Sequence, residues 1–137
     1  MLFPKKFKYK KQFKGLIKSK TSKGNKIVYG NFGLKSLEIT RLTSRQIEAG
    51  RRVIVRHMKR LGFLWIRVFP HTPITSKPTE TRMGKGKGSV DYWAAKIKPG
   101  QIIYEISGIS KDNAIKALKA GSMKLPIKTK IIKKEGL

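Results

Sequence analysis

The nine residues TRMGKGKGS, from Thr81 to Ser89, have the composition of a phosphate-binding loop. Three glycines occur at alternate positions, and a lysine lies between each pair. A P-loop requires G-x-x-x-x-G-K followed by Ser or Thr, and a dinucleotide-binding loop requires G-x-G-x-x-G ahead of a helix. Neither spacing is present. The pattern favours a glycine loop that lies close to a phosphate backbone while its lysines project, with a plain glycine-rich linker as the alternative.

Side chains for acid-base, nucleophilic or metal chemistry are sparse. The chain has no cysteine, which removes thiolate catalysis, disulfides and Cys-based zinc sites. His57 and His71 have no Asp or Glu beside them, and the seven acids are scattered. This pattern provides neither a metal site nor a general acid-base pair. We therefore expect no catalytic residue, no metal and no cofactor, with an RNA-modifying or phosphate-binding enzyme that uses the glycine loop as the alternative.

The charge of the chain indicates a polyanionic partner. Lysine and arginine total 33 against seven acids, so the formal net charge is +26 over 137 residues. Such charge opposes compaction unless anions neutralise it, and nucleic acid is the leading candidate. An anionic membrane is the rival, but both tryptophans lie in strand-like stretches and no apolar run is long enough to span a bilayer. We expect neither membrane binding nor a homo-oligomer.

The first 26 residues form a basic extension. They contain ten lysines and no acid, and four aromatic residues are interleaved with the lysines. A disordered tail in the free protein is one interpretation, whereas in a complex the same spacing suits lysines on phosphates and rings on bases or on the domain. The opening MLFPKKFKYKK has no apolar signal core and no arginine- and serine-rich presequence. A chain that acts in an organelle would therefore be made there.

A basic helix is predicted to begin at Thr43, because T-x-x-Q from Thr43 to Gln46 has capping-box spacing, and to end at Gly62. Its apolar stripe consists of Ile47, Ile54, Met58 and Leu61. The basic residues that lie away from this stripe are Arg45, Arg52, Arg56, Lys59 and Arg60. Only Glu48 balances them, so contact with phosphates is favoured over a solvated charged face.

The stretches on either side of this helix predict strands and one long loop. The residues from Ile27 to Leu42 indicate two short strands around the Gly30 to Gly33 region. FLWIRVFP, from Phe63 to Pro70, is rich in aromatic and β-branched residues and predicts another strand. The stretch from Pro70 to Ser89 has three prolines before its glycines, which predicts an irregular functional loop.

The C-terminal part predicts a hairpin, a helix and a last strand. YWAAKIK and QIIYEI are separated by Pro99 and Gly100, as in a hairpin. Ser110 is predicted to open a second helix that cannot continue through Pro126, and IKTKIIK then forms a strand. We expect one α+β domain over residues 1–137, in which a mixed, largely antiparallel sheet packs with two main helices. The basic extension covers 1–26, and the Pro/Gly-rich loop covers 70–89.

Six segments of the chain occur together in one known family. They are RLTSRQIEAGRR, WIRVFP, PIT-x-KP, RMGKGKGS-x-x-YW, KPG and KLPIKT. Together with the opening ML-x-PK, they closely resemble the large-ribosomal-subunit protein sixteen family of bacteria, plastids and many mitochondria. The resemblance runs over essentially the whole chain, with the segments in order.

The resemblance implies an α+β protein embedded in large-subunit rRNA beside the groove that receives aminoacyl-tRNA. Its implied partners are this rRNA, aminoacyl-site tRNA, with peptidyl-site tRNA as a further candidate, and neighbouring large-subunit proteins. The implied rRNA-binding residues are Lys5, Lys6, Lys8, Lys10, Lys11, Arg41, Arg45, Arg51, Arg52 and Arg56. The loop implied to reach toward the peptidyl-transferase centre and tRNA contains Arg82, Met83, Gly84, Lys85, Gly86, Lys87 and Gly88.

Two features depart from the family. The family commonly has an acid where His71 stands, and the segment from Leu16 to Lys26 is weakly matched, so its rRNA contacts are not carried over. The bias toward lysine, with 25 Lys against 8 Arg, favours an organelle-encoded copy. The mitochondrial ribosome is preferred to the plastid ribosome, and a bacterial cytoplasm is the third possibility.

Overall fold

A computed structural model describes residues 2–5, 24–76 and 88–136 of the chain. Within these ranges the order of elements alternates without a regular β-α-β repeat. The strands and helices are β1 (Phe32–Ser36), β2 (Thr40–Thr43), α1 (Ser44–Met58), β3 (Phe63–Ile66), β4 (Thr72–Ser76), β5 (Ser89–Ile97), β6 (Ile102–Ser107), α2 (Lys111–Ser122) and β7 (Thr129–Lys133). Neither helix is long and apolar enough to cross a membrane.

The described strands form two antiparallel sheets. The larger sheet has the order β3-β6-β1-β7, and the smaller sheet has the order β2-β5-β4. One hydrophobic core joins both sheets to both helices and includes Leu42 of β2, Ile54 of α1, Ile106 of β6 and Leu118 of α2. The predicted α+β class is therefore confirmed, with two antiparallel sheets of four and three strands.

The N-terminus of α1 forms as the sequence predicts. The backbone amide of Gln46 donates to Thr43 Oγ1 over 3.1 Å, and the Thr43 amide donates to Gln46 Oε1 over 3.0 Å. The predicted end at Gly62 is wrong, because the helix stops at Met58 and Lys59 adopts a left-handed conformation with φ of 53°. Leu61 therefore leaves the helix and is exposed, whereas the other residues of the predicted stripe are buried.

Helix α1 is held against β6 by a close approach at Gly50. The hydroxyl of Tyr104, which is fully buried, donates to the backbone oxygen of Ile47 over 2.6 Å. A Cβ at position 50 would overlap this hydroxyl, so the approach requires glycine. Burial raises the pKa of Tyr104 above its ordinary value, so its hydroxyl stays protonated and remains a donor. This contact is one of those that hold α1 in place, together with its packing against α2, where Gly121 lies against Ile54.

The hairpin predicted around Pro99 and Gly100 is wrong. β5 pairs with β2 and β4 in the smaller sheet, whereas β6 pairs with β1 and β3 in the larger one. The turn therefore carries the chain from one sheet to the other. The Gly100 amide donates to the Ser36 carbonyl, and the Ser36 amide donates to the Gln101 carbonyl, each over 2.8 Å. These bonds attach the turn to the end of β1, which local periodicity could not predict.

Three other strand predictions are corrected. The strand predicted over FLWIRVFP ends at Ile66. Residues 72–76 of the predicted irregular loop form β4, an edge strand in which Pro73 pairs with Trp93. Proline is tolerated there because an edge strand has one side without ladder partners. The two short strands predicted around the Gly30 to Gly33 region are β1 and β2, but the first begins only at Phe32, because the amides of residues 28–30 bond to the side chain of Glu105.

Candidate nucleic-acid interface

The C-terminal half of α1 and the turn after it enclose an open, cation-lined hollow. Its volume is about 500 Å³. The residues that line it, called here the basic hollow, are Arg51, Arg52, Val55, Arg56, Lys59 and Arg60. The lining contains five cations, one apolar residue and no acid. Spacing of three and four residues along a helix brings Arg52, Val55 and Arg56 to one face. Lys59 and Arg60, in contrast, reach the hollow from the left-handed turn after the helix.

Glu48 lies next to the basic hollow and pairs with two of its arginines. Arg51 Nε donates to Glu48 Oε2 over 2.9 Å, and its Nη2 donates to the other carboxylate oxygen. Arg52 Nε donates to Glu48 Oε1 over 3.3 Å. The hydrogen bond from Arg51 lowers the pKa of Glu48 to about 2, so the carboxylate is charged at neutral pH and compensates part of the arginine charge.

The other three cations of the basic hollow are not paired with an acid in the described ranges. Across residues 24–76 and 88–136, Arg56, Lys59 and Arg60 form no salt bridge, and all three are exposed. Lys59 and Arg60 both have positive φ, 53° and 63°, a conformation uncommon for residues other than glycine. The turn directs their backbone away from the helix axis while their side chains still line the hollow. An anion with several oxygens, such as a phosphodiester backbone, fits this arrangement.

The predicted site residues are not all brought together. Arg51, Arg52 and Arg56 line the basic hollow, but Arg45 is exposed outside its lining and Arg41 is half-buried on β2. Lys5 is exposed near the start of the chain. The other predicted N-terminal residues, Lys6, Lys8, Lys10 and Lys11, lie outside the described residues.

The glycine loop is attached to a pair of hydrogen-bonded strands. Ser76 at the end of β4 pairs with Ser89 at the start of β5. Gly88 directly precedes β5 and is half-buried. The other predicted loop residues, Arg82, Met83, Gly84, Lys85, Gly86 and Lys87, lie outside the described residues. Both described ends of the connection are therefore fixed to one antiparallel ladder.

Neither histidine lies in a described catalytic or metal constellation. His57 is exposed on the last turn of α1. His71 is also exposed, and its Nδ1 lies 3.1 Å from the backbone oxygen of Phe69. The described ranges contain no group of three His, Asp or Glu side chains placed to hold a metal ion.

Sequence reasoning missed two parts of the site region. Lys59 and Arg60 were expected on the helix, although they lie in the left-handed turn after it; the signal is the basic pair just before Leu61 and Gly62. The second part is the ion pair between Arg67 and the fully buried Glu105. The same carboxylate holds the backbone of residues 28–30 against β6. The sequence gave two signals of this pair. Glu105 is a single acid inside the apolar run IIYEI, and Arg67 alternates with aromatic residues.

A comparison with known protein families identifies the family of the chain. The model of the family described as "Ribosomal protein L16p/L10e" matches residues 4–132. The chain belongs to this family. It is also 59% identical, over 135 residues, to proteins named "Large ribosomal subunit protein uL16" from three strains of Cereibacter sphaeroides, and the match covers 98% of each chain. The family resemblance in the sequence is therefore confirmed, and the basic hollow belongs to a ribosomal protein.

Proposed function

We propose that the chain is a structural constituent of the large ribosomal subunit that binds large-subunit rRNA through the basic hollow. Membership of the family supports the ribosomal role. The observation that carries the rRNA contact is the set of three uncompensated cations, Arg56, Lys59 and Arg60, on one rigid surface. Phosphate contacts of this kind fix the position of a protein on a helix of RNA without reading its sequence.

The second part of the proposal concerns the glycine loop. We infer that residues 82–88 face rRNA and tRNA beside the aminoacyl site. The support is the composition of the loop, two lysines among three glycines, and its attachment to the paired ends of β4 and β5. The ladder fixes the two points at which this cationic segment leaves and re-enters the described structure. Neighbouring large-subunit proteins are the other proposed partners, and they follow from the family.

Substitution within the basic hollow tests the rRNA contact. Arg56→Gln combined with Arg60→Gln removes two uncompensated charges, and should weaken binding to a large-subunit rRNA fragment by about tenfold or more at fixed salt. Lys116→Gln with Lys119→Gln is the matched control, because it removes the same charge from exposed residues of α2. Filter binding at one ionic strength is the measurement. Equal losses in the two double variants would show that net charge alone drives binding, against a site on α1.

The cellular ribosome is a separate proposal. The relatives named above are bacterial and give no support to an organelle. The mitochondrial ribosome is proposed on lysine-rich composition alone, 25 Lys against 8 Arg. Co-sedimentation of the tagged chain with mitochondrial, plastid or bacterial ribosomal particles decides between these locations, and recovery with bacterial particles only would reject the organelle.

A further inference from the structure

A row of aromatic rings lies on the outer face of the larger sheet. Phe63 and Trp65 are two residues apart on β3, so they share one face, and Tyr29 lies beside them. The ring centroids of Tyr29 and Trp65 are 6.0 Å apart with an interplanar angle of 22°, and those of Phe63 and Trp65 are also 6.0 Å apart. We call Tyr29, Phe63 and Trp65 the aromatic row.

The aromatic row is not part of the core. Tyr29 is 60% exposed and Phe63 is 67% exposed. The intervening residue Leu64 points the other way and packs against the core, so the strand does not need these rings for its burial. β3 is also an edge strand. Exposed aromatic residues on an edge strand favour aggregation unless a partner covers them, so the row indicates an interaction surface.

The charges around the row favour a nucleic-acid partner. The guanidinium of Arg67 lies 5.4 Å from the ring centroid of Tyr29, in a cation–π contact. The carboxylate of Glu105, on the strand beside β3, is fully buried and pairs with Arg67 and with backbone amides. The row therefore lies beside an Arg67–Glu105 pair with no net charge, and the buried acid leaves no uncompensated negative charge to repel a polyanion there.

Nucleobases stack on such rings without regard to their identity, and the net charge of +26 on the chain attracts the attached phosphates. We propose that the aromatic row is a stacking platform for an unpaired base of large-subunit rRNA. This inference rests on the rRNA binding proposed above and adds a contact to the base itself. The row and the lining of the basic hollow have no residue in common, so the two contacts are separable by substitution.

Tryptophan fluorescence tests the platform directly. The chain has two tryptophans, and Trp93 is in the other sheet, so a Trp93→Phe background leaves Trp65 as the only emitter. Binding of a large-subunit rRNA fragment should lower Trp65 emission, because a stacked base quenches the indole. Inorganic polyphosphate is the matched ligand, since it engages the cations but has no base. Filter binding confirms independently that each polyanion is bound.

Affinity measurements supply the second arm. Tyr29→Ala and Phe63→Ala should each weaken binding to the rRNA fragment by about five- to 100-fold while leaving the salt dependence unchanged. Phe63→Tyr keeps an aromatic ring at this position, so it should bind the rRNA fragment with wild-type affinity. Met123→Ala is the control, because Met123 is an exposed apolar residue, 81% accessible, at the end of α2. Circular dichroism checks that each variant is folded.

The outcomes separate the two proposals. Bound rRNA that leaves Trp65 emission unchanged, or polyphosphate that quenches it equally, would overturn the platform while the proposed rRNA binding stands. Row variants that bind free rRNA normally but fail to enter the large subunit would assign the row to a protein neighbour and also overturn it. If the wild-type chain fails to bind rRNA at all, the proposed function fails and the platform fails with it.

Discussion

Glu105 is the only acid in the described ranges that is fully buried. Its Oε1 accepts hydrogen bonds from the amides of Val28, Tyr29 and Gly30, each over 2.9 Å, and its Oε2 accepts from Arg67. Burial alone would raise the pKa of this carboxyl, but these hydrogen bonds outweigh it and lower the pKa below its ordinary value. The charged form is therefore the native form, and it fixes the segment that carries Tyr29.

Replacement of Glu105 by glutamine should destabilise the fold by about 2–4 kcal/mol near neutral pH, because Arg67 loses its buried charged partner and three amides lose a charged acceptor. Chemical denaturation at pH 7 measures the loss. Glu135→Gln, at an exposed acid, is the control and should change stability by less than about 0.5 kcal/mol. Equal stability of the Glu105→Gln protein and the wild type would contradict the role given to this carboxylate.

The same carboxylate predicts a pH dependence. Its folded-state pKa lies below the unfolded value, so its stabilisation is complete above about pH 4.3 and is lost as the pH falls below that value. The free energy of unfolding of the wild type should decrease more steeply from about pH 5 to pH 3 than that of Glu105→Gln. Parallel curves for the two proteins would indicate that other acids account for the dependence.

At the scale of elements, α1 makes one close contact with β6 in addition to its packing against α2. Gly50 of the helix lies against the Tyr104 hydroxyl, which in turn bonds to Ile47. Tyr104→Phe should cost about 1 kcal/mol through loss of this hydrogen bond. Gly50→Ala adds a methyl group where the hydroxyl lies, so its overpacking cost opposes the gain in helix propensity.

The two substitutions should be coupled. Because Tyr104→Phe removes the atom that the new methyl group would meet, Gly50→Ala should cost at least about 0.5 kcal/mol less in the Tyr104→Phe background than in the wild type. A double-mutant cycle by denaturant unfolding measures this coupling. Gly136→Ala, where an added Cβ meets no atom within 4 Å, is a glycine control without this contact and should not couple to Tyr104→Phe. Additive costs at position 50 would show that the contact does not position α1.

Local signals in the sequence predicted the elements better than their arrangement. The capping box at Thr43, the helix from Ser110 and the last strand depend on neighbouring residues, and all three are present. The turn at Pro99 and Gly100 looked like a hairpin because adjacent strands usually pair. Its actual bonds go to Ser36, more than sixty residues away in the chain. No periodicity over a short window contains that information.

The site was predicted in the same uneven way. Arg52 and Arg56 could be placed away from the apolar stripe from their spacing, whereas Arg51 was named only through the family resemblance. The contribution of Lys59 and Arg60 depends on a left-handed turn that the sequence placed inside the helix. The spacing of Glu48 from Arg51 and Arg52, three and four residues along the helix, is compatible with the two ion pairs, which leave the far end of the hollow more positive than the near end.

At the scale of the whole molecule, the fold separates a neutral core from a cationic surface. The core cluster joins both sheets and both helices, and we propose on this ground that residues 1–137 form one domain. A second hollow of about 420 Å³ lies beside β7, and its charged lining residues are Lys26, Lys35, Lys133, Lys134 and Glu135. Its four lysines and one acid give a net charge of +3, whereas the five cations of the basic hollow together with Glu48 give +4. Anion binding is therefore expected to be strongest at the basic hollow of α1.

The glycine loop should matter for translation and not for folding. Lys85→Glu with Lys87→Glu should impair tRNA handling or late subunit maturation, whereas the thermal transition followed by circular dichroism should coincide with the single transition of the wild type. The reason is that substitutions of lysines in a predicted loop usually change stability little. Lys116→Glu with Lys119→Glu on α2 is the charge-matched control. Loss of the folded signal in the loop variant would contradict this expectation.

The salt dependence of rRNA binding tests the central claim most directly. With about six to ten phosphate contacts, affinity for a large-subunit rRNA fragment should fall roughly a thousandfold or more between 50 and 200 mM salt, with duplex DNA as an upper guide. In the Arg56→Gln, Arg60→Gln variant, the slope of log affinity against log salt should be shallower by about 1.4–1.8, since two phosphate contacts are lost. A wild-type affinity that hardly changes over this range, or an unchanged slope in the variant, would contradict rRNA binding through the basic hollow.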